Sequence, residues 1–140
     1  LLGQCYSNNE NLLSKNEELN LIKNAIFKFK VHKFIPHPLS KLNYSSLEVD
    51  IIQPNMIAEE YIAELLKSNI CHVIGFRTTA IFNLFECLPD FIKNKQLLLT
   101  NLTAYKNKKP LSKEWINDIW SKDFDHIPIF ADSDVVKKFI

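Results

Sequence analysis

Glycine is nearly missing: Gly3 and Gly75 are the only two in 140 residues. So few glycines leave no G-x-x-x-x-G-K-[ST] loop, no G-x-G-x-x-G fingerprint and no collagen-like repeat. Arginine occurs once, as Arg77, so a site that needs a guanidinium for an anion has a single source. The three cysteines, Cys5, Cys71 and Cys87, show no C-x-x-C spacing. That excludes a zinc ribbon and a disulfide knot, and suits a reducing, cytoplasmic compartment. No apolar run approaches the ~20 residues of a membrane span. Neither sign of charge dominates: 17 Lys and Arg stand against 16 Asp and Glu, for a net charge of +1. A chain so balanced lacks the basic footprint of a nucleic-acid binder. Methionine is absent from the first position, and Leu1-Leu2-Gly3-Gln4 reads as the end of a buried strand. No basic n-region or cleavage site follows, so the start is not a signal peptide. We read the chain as a piece of a longer protein.

What remains is ordinary globular material, 46% apolar and 24% charged, enough for one core without staples. Residues 1–6 read as a strand. Ser14 with Glu17 spells a capping box that opens a helix to Phe29, with Leu19, Ile22, Ala25, Ile26 and Phe29 on the helical period. Strands are expected at 30–35, 47–52, 70–75 and 96–99, and helices at 55–67, 78–88 and 111–120. Pro89 stops the third helix, 106–109 is a basic loop, and a final short helix starts at Asp134. Strands alternating with helices predict an α/β fold with a parallel sheet. In such sheets ligands sit outside the carboxyl ends of the strands. Asn9-Glu10, Pro36-His37-Pro38 and Gly75-Phe76-Arg77-Thr78-Thr79 all fall at that edge.

Each of these segments has a chemical and a bland reading. Gly75 to Thr79 joins a buried strand to a helix N-terminus, which offers free N–H groups and a positive dipole end to a phosphate; alternatively, Thr78 or Thr79 only caps the helix. His37 is held between two prolines and can donate to, or protonate, a leaving phosphate; it can also be a surface histidine in a turn. Glu10 can accept a proton from an attacking hydroxyl, or be a solvated loop acid. Of Glu59 and Glu60, one complements the dipole of its helix and the other is available to a ribose diol. The two D-x-D runs, at Asp123 and Asp132, read more simply as caps and loop acids than as metal ligands. His126 beside Asp125 lacks further ligands, and His32 and His72 read as structural residues inside strands. Asn43-Tyr44-Ser45 and Asn101-Leu102-Thr103 are formal glycosylation sequons in an asparagine-rich chain.

The order of these pieces resembles a known family. Gly3-Gln4, Asn9-Glu10-Asn11-Leu12-Leu13-Ser14, a helix, Phe34-Ile35-Pro36-His37-Pro38, Ala58-Glu59 and Gly75 to Thr79 together look like the C-terminal half of a bacterial sialyltransferase of glycosyltransferase family 52. The resemblance covers about residues 1–100. It implies a Rossmann-like domain, one half of a two-domain GT-B enzyme, with the acceptor domain preceding residue 1. It also implies a donor site for CMP-sialic acid and inverting transfer to a terminal galactose of lipooligosaccharide or capsular glycan. The family roles fall on Glu10 as general base, His37 with Pro38 at the CMP phosphate, Thr78 and Thr79 as paired phosphate hydroxyls beside Gly75, and Glu59 near the ribose. The sequence departs at the acid-acid-Gly motif, where Asn9 and Asn11 flank Glu10. The family needs no metal, and the implied partners are a nucleotide sugar and a glycan, not nucleic acid. A homodimer, and a peripheral contact with the inner face of the inner membrane through the missing part, are compatible with it. Two other readings stay open: a GT-B transferase for another nucleotide sugar, and a truncated, non-catalytic nucleotide-binding remnant.

Overall fold

The computed structural model describes residues 1–8, 12–106, 109–111 and 129–130. The expected capping box is formed: Glu17 N donates to Ser14 Oγ at 3.3 Å and Ser14 N donates to Glu17 Oε2 at 2.6 Å. It opens helix α1 (Lys15–Phe29), which Lys30 ends in the left-handed conformation. Because Lys30 caps the helix and the Val31 amide turns back to Ile26 O, the next strand starts late. Strand β1 is only Lys33–Phe34, and it pairs in parallel with β2 (Asp50–Ile51). His32 therefore precedes the strand rather than lying within it. Helix α2 (Ala58–Leu66) starts three residues later than expected, with no side-chain cap. Strand β3 (Cys71–Gly75) and helix α3 (Thr79–Cys87) follow closely the apolar runs that predicted them.

Pro89 does more than stop α3. It opens a further short helix, α4 (Pro89–Lys93), at the first helical position, where its missing N–H costs nothing. Strand β4 (Leu97–Leu102) runs three residues beyond the expected end. It lies between β3 and β7 (Ile129–Phe130), both parallel to it, so its polar Thr100 and Asn101 are held inside the ladder. The expected basic loop carries a hairpin, β5 (Tyr105–Lys106) against β6 (Lys109–Pro110). The helices expected at 111–120 and from Asp134, and both D-x-D runs, lie outside the described residues apart from Leu111.

The first residues do not form a strand of six. Leu1 to Gly3 is extended, and Leu2 bridges in parallel to Ile35 on one side and Gly75 on the other. Leu2 N donates to Ile74 O at 2.7 Å, Gly3 N to Ile35 O at 2.8 Å, and Ile35 N to Leu1 O at 2.9 Å. Beyond Gly3 the chain tightens into a 3₁₀ turn, Tyr6–Asn8. The amides that this turn leaves over, on Tyr6 and Ser7, donate to the buried Glu18 carboxylate at 3.2 and 2.6 Å. The parallel order across the molecule is thus β2, β1, the Leu1–Gly3 segment, β3, β4, β7. From the central segment the chain steps outward to β1 and β2, then crosses to β3 on the other side. The order reverses between the segment and β3.

Helices cover both faces. Successive strand side chains point to opposite faces, so Ile74 and Leu102 join Leu21, Ile22 and Ala25 of α1, while Val73, Leu97 and Leu99 join Ile62 and Leu66 of α2 and Ile81 and Leu84 of α3. Phe34, fully buried on the α1 side, meets Tyr44 edge-on with centroids 5.0 Å apart. The fold is α/β, with small parallel sheets flanked by helices. No helix among the described residues is long and apolar enough to cross a membrane.

Candidate functional site

The parallel strands all end at one edge, and the loops that follow β1 and β3 leave it on either side of the point of reversal, where open parallel sheets bind their ligands. The loop after β1 carries His37. Pro38 fills the second place of a turn closed by Ser40 N donating to His37 O at 2.9 Å. Within that turn Leu39 N donates to His37 Nδ1 at 3.2 Å. Nδ1 is therefore the acceptor, and the neutral ring carries its proton on Nε2. His37 is half-buried and Pro38 exposed. The ring is oriented by its own backbone, with one N–H left to aim at a ligand.

The loop after β3 is Phe76 to Thr78. Thr78 is the N-cap of α3: its Oγ1 accepts from Ile81 N at 3.2 Å, and only 6% of the residue is exposed. Thr79, the first helical residue, is exposed. The paired hydroxyls thus have different surroundings. By helix geometry the Thr79 and Ala80 amides have no acceptor one turn back. Gly75 serves the packing of this turn. A Cβ there would lie 2.7 Å from Ile81 Cγ1 and 3.3 Å from Thr78 Oγ1, so only glycine lets α3 fold back onto β3.

The residues after Gly3 tie the two loops together. Gln4 Nε2 donates to Phe76 O at 3.4 Å, Tyr6 donates its hydroxyl to Phe76 O at 3.0 Å, and Asn8 Nδ2 donates to Leu39 O at 2.7 Å. Burial pushes the Tyr6 hydroxyl far above the ordinary tyrosine range, with the Glu18 charge adding to it, so the donor keeps its proton. Gly3 is needed for this approach, since a Cβ would meet Phe34 Cζ at 3.0 Å and the His37 amide nitrogen at 3.2 Å. The His-Pro turn and the Gly75–Thr79 turn therefore flank one segment at one edge. Glu10, in the loop that continues this segment, lies outside the described residues.

Glu59, in the first turn of α2, accepts at Oε1 from Asn83 Nδ2 of α3 at 2.7 Å. The bond fixes one carboxylate oxygen and joins α2 to α3. Glu60 is exposed and complements the helix dipole. Sequence reasoning passed over Asn83, Tyr6 and Glu18; the readable signal was Glu18 standing on the helical period of Leu21, Ile22 and Ala25. Asn101 and Thr103, which spell a sequon, are 0% and 2% exposed. Neither can be reached by a modifying enzyme in the folded chain, whereas Asn43 is exposed.

No curated protein matches the chain significantly. The model of glycosyltransferase family 52 matches residues 1–97. That span runs from the central segment through both of these loops to the start of β4. Most of the chain thus carries the family pattern, and the chain belongs to glycosyltransferase family 52.

Proposed function

We propose that this chain is the nucleotide-sugar half of a GT-B sialyltransferase, a Rossmann-like domain that holds CMP-sialic acid at the carboxyl edge of the sheet. The observation that carries the reading is the placing of the His-Pro turn and the Gly75–Thr79 turn on either side of the Leu1–Gly3 segment. Nucleotides bind parallel sheets at such a reversal of strand order. The full enzyme would add an acceptor domain and work on the cytoplasmic side. It would transfer sialic acid to a terminal galactose of lipooligosaccharide or capsular glycan.

The chemistry follows from charge. The acceptor hydroxyl gives its proton to Glu10 as its oxygen attacks the anomeric carbon. The bond from that carbon to the phosphate oxygen breaks, and CMP leaves with the electron pair. The charge that grows on the phosphate meets the His37 Nε2 proton, the Thr78 and Thr79 hydroxyls and the first amides of α3. A single displacement inverts the carbon. Pro38 holds the histidine turn, Gly75 lets the helix N-terminus close over the strand, and Glu59 offers its second oxygen to the ribose diol. No metal takes part in this scheme.

Calorimetry with CMP, cytidine, UDP and GDP tests the reading. CMP should bind in preference to UDP and GDP. Thr79→Val, which removes an exposed donor without touching the cap, should weaken CMP ~10-fold while cytidine, lacking the phosphate, hardly changes. Preference for UDP or GDP would assign another donor. Equal losses for CMP and cytidine would retire the phosphate role.

A further inference from the structure

Three described residues other than glycine have positive φ: Lys30, Arg77 and Lys95. Lys30 ends α1 and Lys95 follows the end of α4, places where the left-handed conformation is the usual stop. Arg77 (φ 50°) ends no helix; it lies between β3 and α3. A side chain in that region is disfavoured, and persists where its surroundings hold it. Here Arg77 N donates to Asn101 Oδ1 at 2.7 Å, while Gln4 Nε2 reaches Arg77 O at 3.5 Å.

Asn101 sits in β4 directly opposite Gly75, fully buried. Its Oδ1 is used by Arg77, but its Nδ2 is buried without a hydrogen-bond partner among the described residues. An unmatched buried donor is costly, and aspartate would accept the same bond without carrying one. Aspartate would also place a negative charge beneath the turn that is read as the phosphate site. The choice of a neutral acceptor, at the cost of an orphan donor, fits a turn that must be held yet remain attractive to an anion. Asn101 lies beyond the span that matches the family.

We propose that Asn101 is the positioning residue of the phosphate turn: it fixes Arg77 in its left-handed conformation and does so without charge. The proposal rests on the phosphate reading above, and its test separates the two. Amide exchange at Arg77 is followed by NMR, and CMP and cytidine binding by calorimetry, for the wild type, Asn101→Ala and Asn101→Asp. Asn101→Ala should speed exchange at Arg77 at least tenfold, leave the Val73 and Leu99 amides unchanged, and weaken CMP at least tenfold. Asn101→Asp should keep Arg77 protected, yet weaken CMP at least tenfold with cytidine within twofold. It keeps the acceptor, so it serves even where the alanine variant does not fold. Unchanged Arg77 exchange in Asn101→Ala, or wild-type CMP affinity in Asn101→Asp, overturns the proposal. A wild-type chain that binds no CMP removes the sialyl-donor reading, and the Arg77 exchange still upholds or overturns the hold by Asn101.

Discussion

At the scale of single residues, the most specific chemistry lies in His37. Its Nδ1 already accepts from the Leu39 amide, so the imidazole can offer only its Nε2 proton to a ligand. Glutamine places an amide N–H near that same nitrogen, whereas asparagine places one near Nδ1, where the Leu39 amide already points. We therefore expect His37→Gln to retain much of the CMP affinity, and His37→Asn and His37→Ala to lose about tenfold, the scale of one hydrogen bond to a charged partner. Titration of the three variants at one pH checks the ranking. Equal losses in all three would mean that the ring contributes shape rather than a proton. Melting temperatures should stay close together, since His37 is half-buried in a turn and belongs to neither apolar cluster.

At the scale of elements, the β3–α3 junction is governed by Gly75. A methyl there would press on Ile81, which is fully buried against the sheet. Gly75→Ala should cost about 1–3 kcal/mol of stability, the usual range for overpacking. Ile81→Ala removes the obstructing atoms and should itself cost about 2–5 kcal/mol. In the double variant the two penalties should not add, because the new methyl enters space that Ile81 has vacated. Urea melts of the four proteins measure that coupling, and simple additivity would show that the close approach does not set the need for glycine. The apolar runs Cys71–Gly75 and Thr79–Cys87 made this junction legible from sequence, as did the capping box of α1. Less legible were β1 and β2, two residues each, and the bridge from Ile35, just after β1, to the distant Leu2. The Glu59–Asn83 and Arg77–Asn101 bonds each join residues 24 positions apart, and neither leaves a local pattern in the chain. Of the site, the two loops could be read because each follows a strand; the residues that tie them together could not.

At the scale of the whole molecule, His72 is one source of acid sensitivity. It lies on β3 with Nε2 2.7 Å from Thr100 Oγ1 of β4. Partial burial holds its pKa below the ordinary 6.5. The unfolded chain therefore takes up the proton more readily than the folded one, and stability rises with pH across that interval. The contribution is complete above pH 6.5 and is lost as pH falls through the lowered folded-state value. Chemical denaturation at pH 7 and pH 5 should show the drop, and His72→Gln should make it smaller. An undiminished drop in that variant would place the acid sensitivity elsewhere.

The central place of Leu1 to Gly3 in the sheet has a consequence for the order of assembly. Protein synthesis delivers this segment before either of its neighbours, yet its partner on one side is Gly75. At ~5–20 residues per second, the wait on the ribosome is on the order of several seconds. Until then the apolar pair Leu1-Leu2 has no partner on the side that Gly75 will occupy. The β3–α3–α4–β4 unit is made of near neighbours and can collapse first, whereas the segment must close a long loop to enter between finished strands. The keystone of the sheet is thus made before both of its neighbours and is among the last parts to be set.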